Sequence, residues 1–486
     1  MFNRKIIKNL LLKYNSIPAA AKCSLWFAIC SIIQKGISLI TVPIFTRLLT
    51  TEQYGEFSVY LSWYQVISIF ATLNLCAGVF FNGMTKYPND RDKYMSSMQG
   101  LSSIVTILLF CVYLPFKDYI NELTGLSTLL MVTIFVDCLM YPALMFWTTR
   151  QRYEFKYIAL VGVTIGVAIA SPVLGLIAVN LTEEKGIARI LSVALVNICV
   201  GLFFYVLGLK RGKKLFCKEY WIFALKFNIP LIPHYLSMII LSHSNRIMIE
   251  RMFGETEVAI YSVAYSFSLI MNIVTQSINS SYVPWTYRKL KDNDIAPLKK
   301  YTSLLLLGVA ALSILPVLVA PELMWIIAPP EYAEGVWVIP PLSTSVFFTF
   351  LYNLFGNIEF YFEKTKFVMV ASVSGAIVNI GLNLLLMPKF GYLAAGYVTL
   401  VCYMLFALAH YIFMRKVCKD ILKTKSVYND KLILFISLVY LGCTALAMSL
   451  YNFVIVRYSI LVIAFIILII KRNFVINLIK NIKKKD

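Results

Sequence analysis

Arg47-Leu-Leu-Thr-Thr-Glu-Gln-Tyr-Gly-Glu-Phe57-Ser58-Val59-Tyr-Leu-Ser62 is answered 204 residues later by Arg251-Met-Phe-Gly-Glu-Thr-Glu-Val-Ala-Ile-Tyr261-Ser262-Val263-Ala-Tyr-Ser266. In each copy a basic residue closes a long apolar stretch, a short polar turn follows, and an aromatic-Ser-Val step opens the next apolar stretch. A nearby offset of 205 brings Gly186 onto Gly391, each at a turn between apolar stretches. Weak matches at equivalent places are the mark of a duplicated unit.

The composition says what kind of unit is duplicated. Of 486 residues, 59% are hydrophobic and only 14% charged, yet Lys and Arg outnumber Asp and Glu by 45 to 24, a formal net charge of +21. Soluble domains carry roughly 25% charged residues. A soluble domain is therefore disfavoured, and so is a basic nucleic-acid binder. An oily chain with a cationic excess reads as a polytopic membrane protein whose charges sit in loops.

A hydrocarbon core of about 30 Å needs roughly 20 apolar residues per helix. Runs of that kind lie near 18–46, 57–82, 94–115, 125–148, 157–180, 187–208, 220–249, 258–285, 301–327, 336–361, 367–387, 392–414, 432–452 and 457–471, which is 14 transmembrane helices. With the N-terminus cytoplasmic, the inside segments hold about five times as many Lys and Arg as the outside turns, the bias that sets orientation. The outside turns keep Arg47, Lys117, Lys185, Arg189, Arg251, Lys389 and Arg457. Both termini are then cytoplasmic.

Six helices per repeat is an even number, so the two copies share one orientation and are related by an axis along the membrane normal. Such repeats place a substrate site between the halves, which rock to give alternating access. The expected architecture is an all-α fold of two parallel-repeat six-helix lobes, residues 16–209 and 219–414, plus two C-terminal helices over 431–472. Residues 1–15 and 473–486 flank it as basic segments. Residues 4–13 set Ile6, Ile7, Leu10 and Leu11 against Lys5 and Lys8, and residues 472–485 set Val475, Ile476, Ile479 and Ile482 against Lys480 and Lys483. Basic amphipathic segments of this kind lie on anionic headgroups.

Charges inside spans are costly and face a wet cavity or a partner. Ser31, Lys35, Ser38 and Thr41 recur at helical spacing and end near Arg47. His243, Arg246 and Glu250 share a helix face, and Arg246 with Glu250 is an i,i+4 pairing candidate. Asp137 is the carboxylate deep in the first half, read either as the partner of Lys35 or as a titrating group. Pro230 and Pro233 interrupt their helix beside Lys226 and expose backbone groups to a cavity. Glu359 and Glu363 beside Lys364 and Lys366 read as a solvated inner rim.

No nucleophile with base and orienter, phosphate-cradling glycine loop or paired catalytic carboxylates is present, so the expectation is neither an enzyme nor an ATP-driven pump, with no cofactor. His234, His243 and His410 have no metal-ligand spacing, and the ten cysteines lack any pairing pattern and read as small buried hydrophobes.

Val42-Pro43-Ile-Phe-Thr-Arg47-Leu-Leu-Thr-Thr-Glu52-Gln-Tyr54-Gly55-Glu-Phe57 resembles the first outer turn of the polysaccharide repeat-unit flippases (Wzx type), in the superfamily that also holds the MATE multidrug transporters and the lipid II flippase. Ile229-Pro230-Leu-Ile-Pro233, Arg246-Ile-Met-Ile-Glu250-Arg-Met-Phe-Gly and Asn379-Ile-Gly-Leu-Asn383-Leu-Leu-Leu-Met-Pro388-Lys-Phe-Gly391-Tyr-Leu-Ala-Ala-Gly396-Tyr-Val-Thr399 are similar to further patterns of that family. Asn245 departs from it, since many relatives carry an acidic residue there.

The resemblance implies a MATE-like fold and the movement of an undecaprenyl-diphosphate-linked oligosaccharide to the outer leaflet of the bacterial inner membrane, through a cleft between lobes, for O-antigen, capsule or exopolysaccharide synthesis. It implies H+ or Na+ as the coupling ion, and a polysaccharide polymerase and chain-length machinery as partners beside the membrane lipids. Lys35, Arg47 and Arg246 are then the cations that replace the hydration shell of the diphosphate. Asp137, His243 and Glu250 are the candidates for coupling or charge pairing. A multidrug or cation antiporter of the same fold is the alternative, and the cationic inventory speaks against it.

Overall fold

A computed structural model describes residues 19–470, and the two basic terminal segments lie outside the described residues. Described residues form helices throughout. In chain order they are α1 (Ala19–Leu48), α2 (Thr51–Thr72), α3 (Val79–Lys86), α4 (Arg91–Tyr113), α5 (Lys117–Thr124), α6 (Thr128–Tyr153), α7 (Tyr157–Leu181), α8 (Lys185–Gly212) and α9 (Lys218–Asn228). There follow α10 (Ile232–Met252), α11 (Glu255–Lys291), α12 (Ile295–Leu318), α13 (Ala320–Ile327), α14 (Ile339–Tyr361), α15 (Thr365–Phe390), α16 (Ala394–Asp420), α17 (Asp430–Ser449) and α18 (Val454–Ile470).

Among the described residues 11 helices are long and apolar enough to cross a membrane, or 12 if the bent pair Pro330–Trp337 and Ile339–Tyr361 is one span. The chain is thus a multi-pass all-α membrane protein, while the expected count of fourteen is not reached. The second expected segment is where continuity fails: α2 stops at Thr72, and Leu73 and Asn74 take left-handed φ values of 50° and 48° before α3. Neither is glycine, so hydropathy alone did not signal the break. At the far end α18 is only 17 residues long.

Local signals set the helix starts. Thr50 accepts from the Gln53 backbone N–H while the Gln53 side chain accepts from Thr50, a reciprocal cap at the head of α2. Ser127 caps α6 and Asn429 caps α17 through their side-chain oxygens. Pro230 and Pro233 do interrupt their span: α9 ends at Asn228, a single 3-10 turn covers Ile229–Leu231, and α10 resumes. The ring of a proline clashes with the preceding turn and removes a donor. Buried Asn228 donates its Nδ2 to the Leu73 carbonyl at 2.5 Å, joining this break to the one after α2.

Two compact units are present. The first holds residues up to Val263 together with Ile327–Tyr332 and Met369–Ala395; the second holds Ala264–Ile326, Ala333–Val368 and Gly396 onward. In the first, α8 packs on α6, α7 and α4, α1 on α7, and α2 on α10. Gly201 on α8 lies where a Cβ would come within 2.6 Å of the Met140 carbonyl, so the small residue lets α8 and α6 approach backbone to backbone. Val79, Phe80, Met84, Tyr94, Phe146 and Tyr220 form an apolar cluster in this unit. In the second unit α12 packs on α14 and α17 around Leu306, Phe347, Phe350 and Leu354.

Three charged residues depart from the sequence expectation. Arg189 and Arg457, expected in solvated turns, are 7% and 1% exposed, and Glu359, expected on a solvated rim, is fully buried. The cysteines are all free, but Cys111, Cys199 and Cys443 are exposed on helix surfaces rather than buried. Where α6 ends, Glu154 receives Arg150 at 2.8 Å and Lys156 at 2.6 Å, and Arg150 also meets Asp92.

Candidate functional site

The motif residues scattered over α10, α11, α15 and α16 converge in the first unit. Asn245 donates to the Tyr261 hydroxyl at 2.8 Å and to the Ala395 carbonyl at 3.3 Å. Asn383 donates to the Asn245 side-chain oxygen at 2.8 Å and to that of Asn379 at 3.2 Å, and Ser244 donates to Asn379 at 3.2 Å. Asn379 and Asn383 are fully buried. These amides bond one another, which lowers the cost of a polar patch inside a membrane span, while the Asn383 Oδ1 is buried without a hydrogen-bond partner among the described residues.

Arg246 is the next residue along α10 after Asn245. Its Nε donates to the Ser262 hydroxyl at 2.9 Å, one guanidinium nitrogen donates to the Ser242 carbonyl at 3.1 Å, and it lies 5.9 Å from the Tyr261 ring centre. It is 8% exposed. A hydroxyl, a main-chain carbonyl and an aromatic ring are thus among the groups that hold this guanidinium, whose planar fork of N–H donors suits oxyanions. Glu250 is paired instead with its neighbour Arg251 at 3.4 Å, and one of its oxygens sits where a Cβ on Gly125 would come within 2.9 Å. His243, a turn before Arg246, is half-buried with its Nδ1 lacking a hydrogen-bond partner.

The other candidates are distributed over the same unit. Arg47, in the last turn of α1, donates to the carbonyls of Pro43 at 2.9 Å and Ile327 at 3.1 Å, so it closes its own helix while remaining exposed. Lys35 is exposed on α1 and has no hydrogen bond or ion pair among the described residues. The nearby Ser38 and Thr41 hydroxyls return their protons to carbonyls of the same helix. Asp137 is 2% exposed and accepts from Asn197 at 3.1 Å and from the Tyr64 hydroxyl at 3.5 Å. Its partners are therefore neutral donors rather than Lys35. Pro230 and Pro233 are exposed at the helix break. Lys226 joins Lys86, Tyr87, Glu219 and Phe223 around a cleft of about 530 Å³.

Sequence reading missed three arrangements. Arg189 lies 3.9 Å from the Phe45 ring centre and 5.0 Å from that of Phe57, a buried cation stacked between aromatic faces. In the second unit Arg457 grips Glu322 with two bonds of 2.8 and 2.7 Å, and Tyr458 donates to the same carboxylate at 3.0 Å. Also in the second unit, His410 meets Glu359. Among the described residues no cluster of three or more His, Cys, Asp or Glu is placed to hold a metal ion.

The sequence profile of the family described as "Polysaccharide biosynthesis protein" matches residues 20–288. Lsg locus protein 1 of Haemophilus influenzae is 24% identical over 374 residues, 74% of this chain and 89% of that protein. Among solved structures, the lipid II flippase MurJ in an inward closed conformation superposes with a TM-score of 0.70 at 14% identity, over 93% of this chain and 100% of that one. A multidrug resistance MATE family transporter in an inward-facing conformation gives 0.61 at 13% identity, over 81% and 96%. The fold is therefore the one shared by the MurJ and MATE transporters.

Proposed function

The chain belongs to the polysaccharide biosynthesis protein family, and on that premise we propose that it is a flippase carrying undecaprenyl-diphosphate-linked oligosaccharide repeat units from the cytoplasmic to the outer leaflet of the bacterial inner membrane. Family and fold make it a membrane transporter rather than an enzyme. The reading draws its support chiefly from Arg246, a buried guanidinium bonded to Ser262 and Ser242 beside the asparagine cluster of Asn245, Asn379 and Asn383.

A diphosphate headgroup crossing a bilayer must exchange its water for other cations and donors. Arg246 offers a delocalised, planar set of N–H groups that suits phosphate oxygens. Exposed Lys35 and Arg47 extend that role along the path of the headgroup, while the lipid tail stays in the membrane. The two repeats alternate access, Asp137, His243 and Glu250 contribute coupling or charge balance, and H+ or Na+ drives the cycle. Both termini face the cytoplasm, and the outer-leaflet product passes to a polymerase with its chain-length machinery.

The alternative, a multidrug or cation antiporter of the same fold, is favoured by one feature, the buried carboxylate Asp137. Asn245 works against it, because the place beside Arg246 is held by a neutral amide. Deleting the gene and restoring it as wild type, Arg246→Ala or Lys35→Ala, with surface polysaccharide and resistance to cationic drugs both scored, separates the readings. Polysaccharide lost in the deletion and in both variants at normal protein abundance supports the flippase. Unchanged polysaccharide with altered drug resistance supports the antiporter.

A further inference from the structure

The second unit contains an acid–base pair that no part of the substrate reading uses. Glu359, near the end of α14, is fully buried, and His410 of α16 is 1% exposed. The His410 Nδ1 lies 3.0 and 3.1 Å from the two Glu359 oxygens. Its other nitrogen, Nε2, is buried and has no hydrogen-bond partner among the described residues. The imidazole lies against the rings of Tyr352, 5.5 Å between centres, and Phe406, 4.9 Å. Gly356, a turn before Glu359, also faces the imidazole: a Cβ there would meet Nδ1 at 3.8 Å, an ordinary contact.

The neighbours shown by ring contacts and hydrogen bonds are aromatic or amide groups. Tyr403 stacks on Tyr352 at 6.3 Å, and Asn357 bonds Asn279 of α11 at 2.9 Å. Further along, Tyr411 and Arg415 extend α16, Tyr361 packs on Tyr287 of α11, and Glu363 and Lys364 follow α14.

Charge counting identifies the reactive atom. With a single N–H on the ring, at Nδ1, the pair carries the net negative charge of a buried carboxylate, which a dry apolar site disfavours. One more proton, on Nε2, makes the pair neutral, whether the shared proton rests on nitrogen or on oxygen. The atom that must take that proton is the one left without a partner.

We propose that Glu359 and His410 form a proton-binding site, loaded at His410 Nε2 while α14 and α16 are packed as described here and emptied to water when that packing opens. The proton comes from water and returns to water, so no other reactant is consumed. Binding that favours one arrangement over another ties proton movement to the transport cycle. The proposal rests on the transporter reading and names its coupling ion as H+.

The chain has three histidines, so 15N-histidine NMR of the purified full-length protein in nanodiscs resolves this one, assigned with His234→Gln and His243→Gln. At neutral pH both His410 nitrogens should carry a proton in the wild type, and only one should in Glu359→Gln, which keeps the shape of the pair. A wild-type ring holding a single proton, or a Glu359→Gln ring still holding two, overturns the site. In cells, Glu359→Gln and His410→Gln at normal abundance should each lower surface polysaccharide by roughly tenfold, within the usual range of coupling between sites. Undiminished export in both overturns coupling while leaving the flippase standing. A deletion strain with normal polysaccharide sinks the flippase reading instead, whatever the NMR shows.

Discussion

Thr51 and Thr256 face each other hydroxyl to hydroxyl at 3.3 Å, one in the first turn of α2 and the other in the first turn of α11. In the duplicated motif Thr51 aligns with Glu255, so the two copies meet within one residue of register. The contact is close because of Gly55, whose missing Cβ would fall onto the backbone carbonyl of Glu255. Two stretches first paired by sequence similarity thus touch inside one unit.

Gly55→Ala should test that contact. A methyl group aimed at backbone, which cannot swing away as a side chain can, costs about 1–3 kcal/mol. Thermal unfolding in detergent should show a lowered midpoint. Gly162→Ala, where a Cβ meets nothing within 4 Å, should leave the midpoint in place, and equal shifts in both variants would refute the argument.

Asp137 should matter more for stability than for coupling. Asp137→Asn keeps one acceptor for Tyr64 and Asn197 and loses the second, which costs about 1 kcal/mol. Export and its dependence on pH should persist. Abolished export at normal abundance would move the coupling role to Asp137.

The Arg457–Glu322 pair should anchor α18. Arg457→Ala removes a buried guanidinium that also donates to the Leu318 carbonyl at 2.7 Å, and leaves Glu322, itself about a quarter exposed, without its cationic partner. The partial exposure of Glu322 softens the penalty, so the loss should be on the order of 2 kcal/mol. Limited proteolysis should then cut beyond Ser449 sooner than in the wild type.

The Glu154 cluster gives a pH signature. Burial pushes the Glu154 carboxyl up, but hydrogen bonds from Lys156 and Arg150 outweigh it, and the net effect is a value below the ordinary one. A carboxylate whose folded value is depressed contributes stability that is present above the unfolded value, about 4.3, and is lost as pH falls through the folded one. The acid limb of the unfolding midpoint should therefore be shallower in Glu154→Gln than in the wild type. Identical limbs would deny Glu154 this role.

Much of the fold was legible because lipid imposes a simple code. Apolar runs gave helices, and Pro230 with Pro233 gave a break, since proline cannot donate. The Arg246, Asn379 and Asn383 stretches stand apart in the sequence, and only packing brings Asn379 and Asn383 together beside Asn245, the neighbour of Arg246. Glu359 and His410 were not legible as a pair, because 51 residues separate them and no helical spacing connects them. Arg189 and Arg457 begin helices, a place where sequence places solvated charge, and only packing shows that Phe45 and Glu322 cover them. The stop after Thr72 was invisible because Leu73 and Asn74 adopt left-handed geometry without glycine.

The 2.5 Å contact from Asn228 Nδ2 to the Leu73 carbonyl couples two helix breaks. Each end belongs to an interruption in a long helix, a point where bending is cheap because the ladder of main-chain bonds is already open. Tying the two together turns a pair of independent joints into a linkage, as in a parallel-ruler mechanism. Any stroke that straightens one helix must then strain, or carry along, the other.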